Sequence, residues 1–163
     1  LENHFKSKHK LVVSWQDAAA WRKNFTGTLV FTNGVFDILH RGHIDYLIEA
    51  RKLGDALIVG VNSDASAKML NKGPDRPYNK QDDRAFLLSQ MNPVDAVVIF
   101  DQPTPAELIE LIQPDIVVKG GDYKPEEVVG KDTVERRGGK VVIIPLTKGY
   151  STTGIADSIR NNK

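Results

Sequence analysis

Cysteine is absent from the 163 residues, which removes disulfides, thiolate nucleophiles and cysteine-ligated zinc together and fits a reducing compartment. Long apolar runs are absent too. Nothing approaches the ~18 residues that span a bilayer, and the polar, basic N-terminus has no signal core, so a cytoplasmic chain without membrane contact is expected. Net charge is almost nil: 22 Lys and Arg against 21 Asp and Glu leave +1, which gives no electrostatic footing for a nucleic-acid partner. Aromatics are sparse at 7%, and Trp15 and Trp21, six apart, read as a packing stripe rather than a base-stacking platform. What is there is ordinary: 40% hydrophobic and 26% charged residues, the usage of one compact folded domain.

Five short apolar, β-branched runs recur at Thr28–Thr32, Ala56–Val61, Asp95–Phe100, Asp115–Lys119 and Lys140–Ile144. Continuous apolarity marks strands covered on both faces, and the helical patterns between them call for a parallel sheet. The expected fold is α/β, a Rossmann-like doubly wound sheet of five parallel strands in a single domain, with residues 1–27 as an N-terminal extension and helix ahead of residues 28–163. Ser14 with Asp17, and Thr104 with Glu107 and Pro105 at the first helical position, have the spacing of capping boxes. Ile44, Leu47, Ile48 and Arg51 form a stripe on a helix that starts near His43 and closes at a left-handed Gly54. Asn79 is placed to cap a helix carrying Arg84, Phe86, Leu87 and Met91 that ends before Pro93. Gly154–Ile159 reads as a short last helix, and Leu1–Lys10 and Arg160–Lys163 as frayed ends. The segment Asn71–Asn79 (NKGPDRPYN), with two prolines and a glycine, reads as an ordered loop able to cover a site.

The chemistry concentrates in Phe31–His43, FTNGVFDILHRGH, where the first strand joins its helix. Open parallel sheets bind ligands at the carboxyl ends of their strands. Gly34 allows close backbone approach, and His40 and His43 fall where a helix N-terminus offers free amides and a favourable dipole to phosphate. A capping histidine beside a solvent-facing one is the plain alternative for the tetrapeptide alone. Zinc is the weaker option, because no third ligand cluster accompanies the pair.

The run Gly34–His43 (GVFDILHRGH), together with Tyr150-Ser151-Thr152-Thr153, resembles the nucleotidylyltransferase superfamily that carries a His-x-Gly-His motif. Val61-Asn62-Ser63-Asp64, Lys72-Gly73-Pro74 with Arg76-Pro77, Arg84, and Val118–Tyr123 (VKGGDY) look most like the adenylyltransferase domains of ADP-heptose synthases. The resemblance runs from about Phe31 to Ile159 in the expected order. Tyr150, before Ser-Thr-Thr, departs from the pattern.

The resemblance implies transfer of AMP from ATP to a heptose 1-phosphate or related sugar phosphate, giving ADP-heptose for lipopolysaccharide core synthesis, with Mg²⁺ accompanying the triphosphate and held largely by it. His40, His43, Lys72 and Arg84 are the implied catalytic set. Asn33, Gly34, Val35, Phe36, Gly42, Lys119, Gly120, Gly121, Asp122, Ser151, Thr152 and Thr153 are the implied nucleotide contacts, and Asp37, Asn62, Asp64 and Arg76 the implied acceptor contacts. Relatives are often fused behind a sugar kinase, so the chain reads as a stand-alone enzyme or an excised domain, and as a homo-oligomer, a dimer by family habit. The alternatives are a cytidylyltransferase acting on glycerol 3-phosphate or a similar small phosphorylated alcohol, and a catalytically silent nucleotide-binding module.

Overall fold

Each β-branched run forms a strand within two residues of its expected bounds. They are β1 Leu29–Gly34, β2 Ala56–Asn62, β3 Ala96–Phe100, β4 Ile116–Gly120 and β5 Lys140–Ile144. The computed structural model describes residues 12–161; the frayed end expected for Leu1–Lys10 lies outside them. All five strands pair in parallel, in the order β3-β2-β1-β4-β5.

The helices are α1 Trp15–Asn24, α2 Arg41–Arg51, α3 Asp64–Met69, α4 Gln81–Ser89, α5 Ala106–Ile112, α6 Lys131–Glu135 and α7 Thr152–Asn161, with a 3-10 turn at Pro125–Glu127. They divide between the two faces because successive strand residues alternate sides. Leu29, Phe31 and Ile58 pack with Ala18 of α1, Leu108, Ile109 and Ile112 of α5, and Val134 of α6. Val30, Leu57, Val59 and Val61 pack with Tyr46, Leu47 and Ala50 of α2 and with Ala85 and Leu88 of α4. The sheet is thus doubly wound, as expected. Each fully buried aliphatic side chain contributes about 1.5–3 kcal/mol of transfer free energy. Trp15 and Trp21 both pack against the first cluster, and the Trp15 indole donates to the Ile99 carbonyl at 2.8 Å. No helix among the described residues is long and apolar enough to cross a membrane.

Several helix ends differ from expectation, each for a tertiary reason. Ser14 caps α1 as expected, accepting from Asp17 N at 3.0 Å, but its hydroxyl donates to the Asp17 carboxylate instead of completing a reciprocal box. Helix α2 starts at Arg41, two residues before His43, and its C-cap is Lys52 in a right-handed conformation. Gly54 is therefore no left-handed cap; a Cβ there would lie 2.6 Å from the Thr28 carbonyl oxygen, so the glycine serves close backbone approach. Lys80, not Asn79, holds the cap position of α4, because the Asn79 amide donates to the Asp37 carbonyl. Pro105, not Thr104, holds the cap position of α5, without a side-chain cap bond. Helix α7 begins at Thr152 and runs through Arg160, so Arg160 is not part of a frayed end; it donates to Asp75 at 3.0 Å and to the Tyr78 hydroxyl at 3.1 Å.

Candidate active site

At the switch point of the sheet, β1 hands over to α2 on one face and β4 leads to α6 on the other, which is where open α/β sheets bind ligands. A cavity of about 560 Å³ opens there. Asn33, Gly34, Val35, Phe36 and Asp37 line it from the end of β1, and His40, Gly42 and His43 from the start of α2. Lys72 and Arg76 enter from the loop after α3, Lys119, Gly120, Gly121 and Asp122 from the end of β4, and Ser151 and Thr152 from the start of α7.

His40 occupies the cap position of α2 without a side-chain cap bond. Its imidazole instead stacks on that of His43, one turn on, with centroids 3.8 Å apart and planes 16° apart. Nδ1 of both rings is buried without a hydrogen-bond partner. Nε2 is neither orphaned in that way nor bonded, so it is the nitrogen that meets the cavity. Phe36 stands at φ 49°, a left-handed conformation that bulky side chains rarely adopt. That turn lays its ring over Gly34 and against His43, 5.3 Å between centroids. Burial lowers the His40 pKa, with a smaller opposing pull from its own backbone. His43 is lowered to about 4, first by burial and then by the charges of His40 and Lys72. The lowered values leave both rings neutral at neutral pH, each with one N–H to donate.

This shift has a sign for stability. His43 holds its proton less tightly in the fold, at about 4, than at its ordinary 6.5. The unfolded chain therefore binds the extra proton between those values, and the fold loses stability as pH falls through that window. Urea midpoints are expected to drop from pH 6.5 to pH 4, and to drop less in His43→Gln; equal drops in both proteins would contradict the assignment.

Cations complete the cavity. Burial, and then the nearby Lys72, lower the pKa of Lys119, whose ammonium sits 5.5 Å from the centroid of the Tyr123 ring. Neither Lys72 nor Lys119 has a carboxylate partner among the described residues. Arg76 is engaged: it donates to Asp37 at 3.0 Å and to Thr153 Oγ1 at 3.1 Å, and lies 4.7 Å from the Tyr78 ring centroid.

Four expected contacts take other roles. The Asp37 carboxylate is 3% exposed and accepts from Arg76 and from the Tyr78 and Asn79 amides, so it anchors the 71–79 loop at the cavity wall. Thr153 is spent on Arg76 and does not line the cavity. Asn62 donates to Ser66 Oγ at 2.8 Å, and Asp64 pairs with Arg84 at 2.8 Å; neither lines the cavity. Ser151 does cap α7, accepting from Gly154 N at 2.9 Å, and Thr152 donates to the Ile38 carbonyl at 3.3 Å.

Arg84 is the largest departure. Its side chain is fully buried and does not line the cavity. Its guanidinium donates to the carbonyls of Asn79 at 2.9 Å, Val35 at 2.6 Å and Asn62 at 2.8 Å, and to the Asp64 carboxylate. It ties the ends of β1 and β2 to the loop before α4, and so holds the cavity floor from beneath instead of clamping phosphate.

The cavity also takes in Tyr46, Ala67, Tyr123, Leu146, Thr147 and Tyr150, which motif reading did not assign to it. Leu146 and Thr147 follow β5, so the rule that ligands sit at strand carboxyl ends would have found them. Tyr46 lies three residues after His43 on one helix face. Its hydroxyl, wedged between Thr32 Oγ1 at 2.6 Å and the Val118 carbonyl at 3.2 Å, is pushed up in pKa by burial, with Thr32 opposing.

The sequence pattern of the cytidylyltransferase-like family matches residues 31–157. The chain is 51% identical over 155 residues to the bifunctional protein HldE of Syntrophotalea carbinolica, covering 95% of this chain and 31% of that relative. It is 57% identical over 133 residues to the bifunctional protein HldE of Nitratiruptor sp., covering 82% and 28%. It thus spans about three tenths of the length of these curated relatives. Among solved structures, the lipopolysaccharide core biosynthesis protein from Thermoplasma volcanium GSS1 is similar with a TM-score of 0.62 and 34% identity, over 77% of this chain and 99% of that one.

Proposed function

The chain belongs to the cytidylyltransferase-like family, and we propose that it transfers AMP from ATP to a heptose 1-phosphate, forming ADP-heptose and pyrophosphate. The observation that carries this reading is the meeting, in one cavity, of two neutral imidazole donors with two lysines that have no carboxylate partner among the described residues. Such a surface suits a polyphosphate and suits few other ligands. The motif resemblance to ADP-heptose synthases supports a heptose phosphate as acceptor, as does the likeness to HldE proteins and to a lipopolysaccharide core biosynthesis protein.

In the proposed reaction an oxygen of the acceptor phosphate attacks the α-phosphorus of ATP. The new P–O bond forms in line as the α–β bridging P–O bond breaks, and the electron pair leaves with pyrophosphate. Two anions are brought together, so the protein's task is positioning and charge neutralisation, with no protein nucleophile. His40 and His43 donate from Nε2 to phosphate oxygens as they gain charge. Lys72, on its loop, and Lys119, at the end of β4, neutralise the remainder. The first amides of α7, behind Ser151, offer further donors.

Magnesium would enter as the substrate complex of the triphosphate. Among the described residues no group of three His, Asp or Glu side chains could hold a metal, and the Asp37 carboxylate at the cavity wall is already taken by Arg76 and two amides. The described residues do not fit a resident metal cage.

The test is pyrophosphate release in Mg²⁺ from ATP and from CTP, each offered heptose 1-phosphate, glycerol 3-phosphate and phosphopantetheine, with products identified by mass. Release with ATP and heptose 1-phosphate alone is expected. Release with another pair would overturn the substrate, and silence throughout would overturn the activity in favour of a binding module.

A further inference from the structure

Tyr150 lies outside the histidine motif, 110 residues after His40 in the chain, yet its ring stacks on the His40 imidazole, 6.2 Å between centroids and 24° between planes. Phe36, His43, His40 and Tyr150 therefore form a column of four rings. The column is closed tightly at its outer end: a Cβ on Gly42 would come within 3.0 Å of Tyr150 Cβ and 3.1 Å of His40 Nδ1. Helix α2 therefore carries a glycine where the tyrosine and the imidazole converge. Tyr150 itself remains 43% exposed, so it is not held there by burial in the core.

We propose that Tyr150 is a positioning residue: its ring covers the open side of His40, keeps water from Nδ1, and so fixes the tautomer in which Nε2 carries the proton presented to the phosphates. The tautomer of a histidine is set by what its other nitrogen can bond to. Nδ1 of His40 has no partner, and an orphaned N–H is rarer in folded proteins than an orphaned acceptor. The proton therefore resides on Nε2, the ring nitrogen that is not sealed in the protein. With the ring removed, water reaches Nδ1, both tautomers become accessible and protonation becomes easier. The lowered His40 pKa, caused first by burial, agrees with this cover. The charged groups around the ring pair are Lys72 from the loop after α3, with Lys119 behind it from β4, and Arg41 and Asp45 of α2, paired with each other at 3.4 Å.

The importance of the tautomer for turnover rests on the proposed nucleotidyl transfer, but its measurement does not. The chain has four histidines, so nitrogen-15 spectra of the free protein resolve the tautomer and titration of each after assignment by substitution. In the parent His40 is expected as the Nε2–H form, titrating below its ordinary value. Tyr150→Ala should give a mixture of tautomers and an upward-shifted His40 titration, with turnover down about tenfold through lost orientation. Tyr150→Phe should restore the parent spectrum and rate. An unchanged His40 tautomer and titration in Tyr150→Ala would overturn the inference, as would a Phe variant displaced as far as the Ala variant. Both results are read without substrate, so an inactive substrate panel would count against the transferase assignment and leave this inference standing or falling by itself.

Discussion

Replacing His43 with alanine is expected to lower turnover by at least ~10²-fold, about 2.7 kcal/mol of transition-state stabilisation, while the chain stays folded. The motive is geometric. His43 has one ring nitrogen sealed in the protein and the other open to a cavity that holds Lys72 and Lys119, so its use lies in donating to a ligand. A donor that meets charge growing on a phosphate or on departing pyrophosphate acts mainly on kcat, and KM for ATP should change much less. His40→Ala should behave alike. Because the two rings stack at 3.8 Å, the double variant should lose less than the product of the single losses. Steady-state kinetics with a urea denaturation control check this; near-parent turnover in His43→Ala would remove the histidines from the chemistry.

The second large effect is on stability. Arg84→Met should cost about 3 kcal/mol or more, because each buried carbonyl left without its donor costs about 1–3 kcal/mol, which is a large fraction of the total for a domain of this size. The methionine would fill much of the volume but leave the Val35, Asn62 and Asn79 carbonyls without their donor, and a buried unsatisfied acceptor is costly. Activity should fall with it, since Val35 lines the cavity and Asn79 belongs to the loop that carries Lys72. Arg76→Met should cost less, because Asp37 keeps its two backbone donors. Urea denaturation separates the cases. An Arg84→Met protein within about 1 kcal/mol of the parent would show that the bridge contributes little, as exposed pairs do.

Strands were legible because their signal is local: five β-branched runs bounded by glycine, proline or charge place themselves. Helix ends were less so. Thr104 has the spacing of a cap and is not one, and Asn79 is diverted to Asp37, a partner 42 residues away. The site was legible where function follows strand ends and a dense motif, as at Gly34–His43, Lys119–Asp122 and Ser151–Thr152. Arg84 shows the limit. A charged side chain near a phosphate motif reads as a clamp, and nothing local says that it is buried beneath carbonyls 5, 22 and 49 residues away. Asp37 lines the cavity as expected, but that a loop 39 to 42 residues on fills its acceptors is not legible locally. Tyr150 was visible as a departure from a motif, but its stacking on His40 required the fold.

The most direct measurement follows oxygen through the reaction. Heptose 1-phosphate labelled with ¹⁸O in its phosphate is mixed with ATP, Mg²⁺ and the protein, and the sugar nucleotide and pyrophosphate are weighed separately by mass spectrometry. Attack of the acceptor phosphate on the α-phosphorus at this cavity leaves all the label in ADP-heptose, including its bridging oxygen, none in pyrophosphate, and nothing formed by His43→Ala on the same timescale. Label in pyrophosphate, or ADP-heptose formed equally fast by His43→Ala, would contradict nucleotidyl transfer by this histidine pair.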